Sequence, residues 1–224
     1  MTLPVLLAII IGGCYLCGSI PFGLLIGKMN KIDIREHGSG NIGATNVLRT
    51  LGKKWGYTCF LCDFAKGLLP VLGTKYLTEA NLPEALVYAP ALALVFTVVG
   101  HIFSVFLKFK GGKGIATSAG AIMAIAPYSL LICLVIWFLV FKATGYVSLA
   151  SIIAACSIPF MSFLENSLQL HDPISNYSIG VLFLIALLVT VKHKSNIKRL
   201  MEGTESSFKK KSEPEAKPVE EADA

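Results

Sequence analysis

IATSAGAIMAIAPYSLLICLVIWFLVFK, residues 115–142, is the stretch on which the topology of this chain turns. Read as one continuous helix, it would carry Lys142 across a bilayer, and the later basic residues Lys192, Lys194, Lys198 and Arg199 would end on the same far side. Basic residues stay on the cytoplasmic side of membrane proteins, so the single-helix reading fails. A proline disfavours helical geometry in the residue before it. A turn at Pro127 divides the run into pieces of 115–126 and 128–141 and returns Lys142 and the basic tail to the cytoplasm. At 1.5 Å per residue the first piece is only about 18 Å long, a thin span or a re-entrant element.

The composition around that stretch supports a membrane protein. Of 224 residues, 54% are hydrophobic and 15% charged, with a mean hydropathy of +0.67. That is too apolar for an ordinary soluble domain. The formal net charge of +6 reflects where basic residues sit relative to a bilayer, and nucleic-acid binding is a poor explanation of it. The N-terminus has no basic segment before its apolar run, so it reads as a first span rather than a cleaved leader. Apolar runs lie at about 3–27, 55–77, 86–107, 142–163 and 174–191, besides the two pieces around Pro127. Within the first, Pro21 is placed to kink the helix.

The loop of residues 28–54 holds six basic residues against two acidic ones, which makes it cytoplasmic and puts the N-terminus outside. Cys14/Cys17 and Cys59/Cys62 are C-x-x-C pairs inside apolar runs, and they read as small packing residues with no zinc or redox role. Asp63 and Lys66 lie within the second span at i,i+3 spacing. They either pair with each other or help to shape a polar site. The tail after Gly203, rich in Lys, Glu, Pro and Ser, reads as disordered. The chain therefore divides into a membrane domain of 1–203 and a cytoplasmic tail of 204–224.

Polar stretches interrupt the oily background, and all fall on the cytoplasmic side: 38–49, 101–118, 142–151 and 192–205. In GSGNIGATNVLR, residues 38–49, glycines let the backbone turn its N–H groups toward one point, as in an anion nest. Asn41, Thr45 and Asn46 can cap the helix that follows, and Arg49 adds a permanent cation. A glycine-rich turn between two spans is the plainer alternative. KFKGGKGIATS, residues 108–118, is a second cationic glycine-rich stretch, and His101 precedes it by about ten residues, either as a core histidine or as part of the site. Two such loops suggest two phosphate-bearing substrates meeting at the membrane surface.

Several familiar chemistries are excluded. Gly114 follows Lys113 where a Walker A loop needs Ser or Thr, and position 107 is leucine. None of the four histidines has an aspartate five residues on, so the H-x4-D pair of thioester-using glycerolipid acyltransferases is missing. There is no G-x-S-x-G serine, and no aspartate cluster for metal-assisted phosphotransfer.

Taken together, residues 38–49, Gly100 to Phe103 with Lys110 to Gly114, Thr144 to Ser151, Asn196 to Leu200 and Gly203 to Glu205 resemble the PlsY-type family of bacterial acyl-phosphate:glycerol-3-phosphate acyltransferases, over about residues 3–205. The resemblance implies an all-α polytopic bundle of about seven transmembrane helices, one or two of them short, in the bacterial inner membrane. The implied activity moves the acyl group of acyl phosphate to the 1-hydroxyl of glycerol 3-phosphate and gives lysophosphatidic acid, with no cofactor or metal and with an upstream enzyme making the acyl phosphate. It also implies roles: Arg49 and Lys113 hold phosphates, Ser39, Asn41, Thr45, Asn46 and Ser148 supply hydrogen bonds, and His101 and Asn196 lie beside the reacting groups. A transporter or flippase for an organic phosphate is the competing class, but it favours internal repeats, and none is visible.

Overall fold

The computed structural model describes residues 2–170 and 172–209, and those residues form an all-helical membrane bundle. The first apolar run does not merely kink. It breaks into α1, Leu3–Ser19, and α2, Phe22–Met29. Pro21 pushes Ile20 out of helical geometry, so the ladder stops there and the carbonyls at the break need other partners. Two of them find buried donors: Ser104 Oγ at 2.6 Å from the Ser19 oxygen and Lys66 Nζ at 2.6 Å from the Ile20 oxygen.

The eight-residue helix α3, Ala44–Leu51, leads into α4, Lys53–Asn81. At 29 residues α4 outruns its expected bounds of 55–77. Its charges keep it out of the group of helices apolar enough to cross a bilayer on composition alone. That group comprises Leu3–Met29 taken together, Ala89–Leu107, Pro127–Thr144 and Val147–Ser167, with a fifth if the bent pair Asn176–Lys192 and Lys194–Met201 counts as one span.

Beyond α5, Ala89–Ile102, the expected break at Pro127 is present: α6 is Ile115–Met123 and α7 is Pro127–Thr144. Helix α6 stops three residues earlier than expected, because Ala124 to Ala126 already form the turn. The start of α7 is secured from a distance, since Glu165 Oε2 accepts from the Ser129 backbone N–H at 2.7 Å. Glu165 lies on α8, Val147–Ser167, which packs between α7 and α9, Asn176–Lys192. A 56° bend leads from α9 into α10, Lys194–Met201.

Small residues allow the helices to meet backbone to backbone, as apolar side chains alone gain little by leaving lipid. A Cβ on Gly18 would stand 2.0 Å from the Thr97 oxygen, and one on Gly100 2.2 Å from the Tyr15 oxygen, so α1 and α5 touch through both glycines. Gly67 and Gly120 do the same for α4 and α6. These contacts fix α1 against α5 and α4 against α6.

Candidate active site

Glu205 is the hub of the polar cluster. Its Oε1 accepts from Ser148 Oγ and from Asn196 Nδ2, each at 2.7 Å, and its Oε2 accepts from Arg199 Nε at 2.7 Å. Asn196 then accepts from Lys113 Nζ through its own side-chain oxygen. Burial pushes the Glu205 carboxyl up, but the bonds from Ser148, Asn196 and Arg199 outweigh it and hold the group below its usual range. Burial pulls Lys113 down to about 8; Glu205 opposes this, and the Arg199 and Arg49 cations add to it. Three cations thus share one carboxylate, an arrangement short of negative charge that favours an incoming anion.

Arg49 reaches this cluster from α3. One Nη donates to the Ser206 carbonyl at 2.9 Å, and the guanidinium carbon lies 4.7 Å from the centre of the Phe208 ring. The expected boundary at 203/204 therefore needs correction. Residues 204–209 are part of the packed site; the disorder expected of 210–224 falls outside the described residues.

The first glycine stretch differs from the expected nest. Ser39 N–H donates to Asn46 Oδ1 at 2.9 Å, and Gly40 N–H to the His37 carbonyl at 3.0 Å, so neither faces an anion. Asn46 is buried and gives its Nδ2 to the Ile34 and His37 carbonyls, both at 3.0 Å. It braces the loop. Gly43 is the N-cap of α3, and no side chain caps that helix. The side chains of Ser39, Asn41 and Thr45 make no hydrogen bond to the described residues, which leaves them free at the rim.

The second glycine stretch is also spent on the fold. Gly111 N–H donates to the Ile102 carbonyl at 3.0 Å and Gly112 N–H to the His101 carbonyl at 3.2 Å. A Cβ on Gly112 would lie 2.4 Å from His101 Nε2, so only glycine lets the loop rest on that ring. His101 consequently stands behind the loop, outside the Glu205 cluster. Its Nδ1 is 3.1 Å from Thr117 Oγ1 and 3.8 Å from Asp63 Oδ1, and Asp63 pairs with Lys66 at 2.8 Å. All four residues are buried.

His193, to which the sequence reading gave no role, is the histidine near the cluster. It is buried at the bend between α9 and α10, within electrostatic reach of Lys113 and Glu205. Its Nδ1 lies 2.8 Å from the Val189 carbonyl, which can only accept, so the neutral ring carries its proton there and leaves its lone pair on Nε2; burial pulls the ring down to about 4, with the Lys113 cation adding and the Val189 bond and Glu205 opposing. Glu205 was quoted in the sequence but given no role either. The available signal was an acidic residue in a basic segment, nine positions after Asn196.

Below the cluster, α6 to α9 enclose an apolar cavity of about 80 Å³, with Ile115, Leu134, Trp137, Ser151, Ala155 and Ile185 among its walls. Ser151 follows Ser148 by nearly one helical turn and Ile115 follows Lys113 by two residues, so the cavity begins where the cations end. A polar, cationic head over an apolar cleft is the shape of an amphiphile.

A family model described as glycerol-3-phosphate acyltransferase matches residues 7–203. The chain belongs to that family. It is 47% identical over 202 residues to the glycerol-3-phosphate acyltransferase of Geotalea daltonii, covering 90% of this chain and 97% of the relative. It is 40% identical over 205 residues to that of Bacillus subtilis, covering 91% and 98%. Among solved structures, the glycerol 3-phosphate form of the integral membrane glycerol 3-phosphate acyltransferase PlsY (YgiH) superposes with a TM-score of 0.81 at 35% identity, over 91% of this chain and 96% of that one. Its lysophosphatidic acid form gives 0.79. The chain is thus a glycerol-3-phosphate acyltransferase of the bacterial membrane.

Proposed function

We propose that the protein transfers the acyl group of acyl phosphate to the 1-hydroxyl of glycerol 3-phosphate, releasing lysophosphatidic acid and inorganic phosphate. The observation that carries this reading is the cluster of Arg49, Lys113 and Arg199 around the single carboxylate Glu205, together with an apolar cavity lined by Ile115 and Ser151, close in sequence to Lys113 and Ser148. Arg49 and Lys113 hold phosphate oxygens, Ser39, Asn41 and Thr45 add hydrogen bonds at the rim, and the cavity takes the acyl chain. Asn46 contributes by fixing the loop that presents them.

In the transfer, the 1-hydroxyl oxygen bonds to the acyl carbon, the bond from that carbon to the phosphate oxygen breaks, and phosphate leaves with its electron pair. The hydroxyl proton passes to a base, either a substrate phosphate oxygen or His193 Nε2. An acyl phosphate is a mixed anhydride with a good leaving group, so the protein's task is to align two anions and offset the charge that develops. Asn196, held between Lys113 and Glu205, lies at that centre, while Ser148 and Arg199 keep Glu205 in place.

The same reading sets the topology: about seven crossings, the N-terminus outside, and the site and C-terminus on the cytoplasmic face of the inner membrane. The basic residues of 28–54 and 192–199 support it. A separate enzyme must supply the acyl phosphate. Purified protein given acyl phosphate and glycerol 3-phosphate is expected to release phosphate and form lysophosphatidic acid, and to turn over neither acyl-CoA nor acyl carrier protein. Turnover with acyl-CoA alone would defeat the donor assignment. For the topology, single cysteines at Lys110, Lys142 and Lys194 should be shielded from an impermeant thiol reagent in intact cells, and one at Asn81 or Gln169 should react.

A further inference from the structure

Residues 204–209 form a strap that lies beyond the stretch matched by the family model. The strap is tied down at several points. Phe208 N–H donates to the Gly145 carbonyl at 3.0 Å, Lys209 Nζ donates to the Ala143 carbonyl at 2.6 Å, and the Phe208 ring meets Phe141 edge-on with centroids 5.8 Å apart. Gly145, at φ +77°, is the seat: a Cβ there would stand 2.5 Å from Ser207 Oγ. The strap therefore docks on the α7–α8 turn, and Arg49, which is 159 positions away in sequence from Phe208, rests over that ring.

An arginine on an aromatic face uses the face of its guanidinium for the stack and keeps the N–H donors at the perimeter free. Among the described residues Arg49 gives one hydrogen bond, to the Ser206 carbonyl. An arginine without such a rest loses rotamer freedom each time it grips an anion.

We propose that Phe208 is a positioning residue for phosphate binding, the platform that holds the Arg49 guanidinium ready for the anion. This rests on the reading that Arg49 holds a phosphate. Phe208 touches no substrate in this role, and its effect passes entirely through Arg49. Removing the π face while keeping apolar bulk should therefore weaken binding of one substrate, and restoring an aromatic face should recover it.

The test uses the full-length protein and the variants Phe208→Leu, Phe208→Trp and Arg49→Ala. Steady-state kinetics are measured with each substrate varied in turn, and thermal stabilisation by inorganic phosphate and by glycerol 3-phosphate is measured alongside. Phe208→Leu is expected to raise KM for one substrate by about threefold to tenfold, with kcat within twofold, to reduce stabilisation by the anion, and to leave the ligand-free Tm within a few degrees. Phe208→Trp should return KM to within twofold of the starting protein. If Phe208→Leu matches the starting protein while Arg49→Ala is impaired, the platform is wrong and the phosphate role of Arg49 survives. If Arg49→Ala is itself unimpaired, the underlying phosphate reading fails. A loss confined to kcat, or an equal loss in the Leu and Trp variants, overturns the proposal, since packing or chemistry and not the π face would then be responsible.

Discussion

Two polar clusters lie inside this apolar bundle, and they are built on opposite principles. Around Glu205 the cations outnumber the carboxylate, the groups are partly open, and the residues come from helices far apart in sequence. Around Asp63 one carboxylate meets one lysine and every member is buried; Lys66 also donates to the Ile20 carbonyl, while Asp63 Oδ1 has the ion pair but no hydrogen bond. The first is short of negative charge and suits an anion. The second is matched within itself and joins α4, α5, α6 and the α1–α2 break. A polar residue in a membrane protein thus marks function when its cluster is unbalanced and architecture when it is closed.

The largest expected effect comes from unbalancing the closed cluster. Asp63→Asn leaves Lys66 as a buried charge without its carboxylate, a change that costs about 3–5 kcal/mol. The variant should aggregate or melt far earlier in detergent, and Asp63→Leu combined with Lys66→Met should recover a monodisperse protein. A Tm unchanged in the single variant would show that the pair carries no such burden.

Next is the open cluster. Arg49→Lys replaces a planar fork with a flexible point charge, a loss of about 2–3 kcal/mol of charge-assisted bonding. That corresponds to about a thirtyfold to hundredfold rise in KM for one substrate, with kcat less affected. Near-normal kinetics would remove Arg49 from the phosphate site.

The two histidines sharpen the comparison. His193→Ala should lower kcat by about a hundredfold, the scale of a general base. His101→Asn, which keeps a partner for Thr117, should change kcat by only a few-fold. Gly112→Ala should be impaired because its methyl meets the His101 ring, and His101→Ala in the same chain should relieve it. If His101→Asn abolishes turnover in a stable protein, the division between the clusters is wrong.

The smallest effect is pH dependence. Lys113 is held near 8 by burial, below its ordinary 10.5. Above pH 8 it loses its proton in the folded protein, so affinity for inorganic phosphate should fall by up to about tenfold per pH unit. The stability trend has the opposite sign. Between about 8 and 10.5 the unfolded chain binds the extra proton, so this group's contribution to stability improves as pH rises. Both slopes should flatten in Lys113→Met; a phosphate affinity that is level through this window would contradict the placement of Lys113.

Much of this was legible before any coordinates. Pro127 disfavours a continuous helix locally, as do Pro70 and Pro159 inside the unbroken α4 and α8, so it was the placement of Lys142 and the basic tail that singled it out, and the break is found there. The polar islands were legible as well, since an apolar chain makes any cationic glycine-rich stretch conspicuous. Their internal chemistry was not. Glycine at 111 and 112 is compatible both with an anion nest and with a loop lying on a histidine ring, and the residues themselves do not distinguish the two.

By itself the sequence determined the helical membrane character, the break before Pro127 and the family, because each follows from local hydropathy, backbone chemistry or an ordered run of residues. Tertiary structure decided the rest. Glu205 became a hub because Ser148, 57 positions away, and Asn196 donate to the same oxygen. His193 rather than His101 came near the cations because a helix bend brought it there while a glycine loop shut the other away. Those outcomes depend on which helices can approach through Gly18, Gly67, Gly100 and Gly120, a matter of three-dimensional fit that no single stretch of sequence encodes.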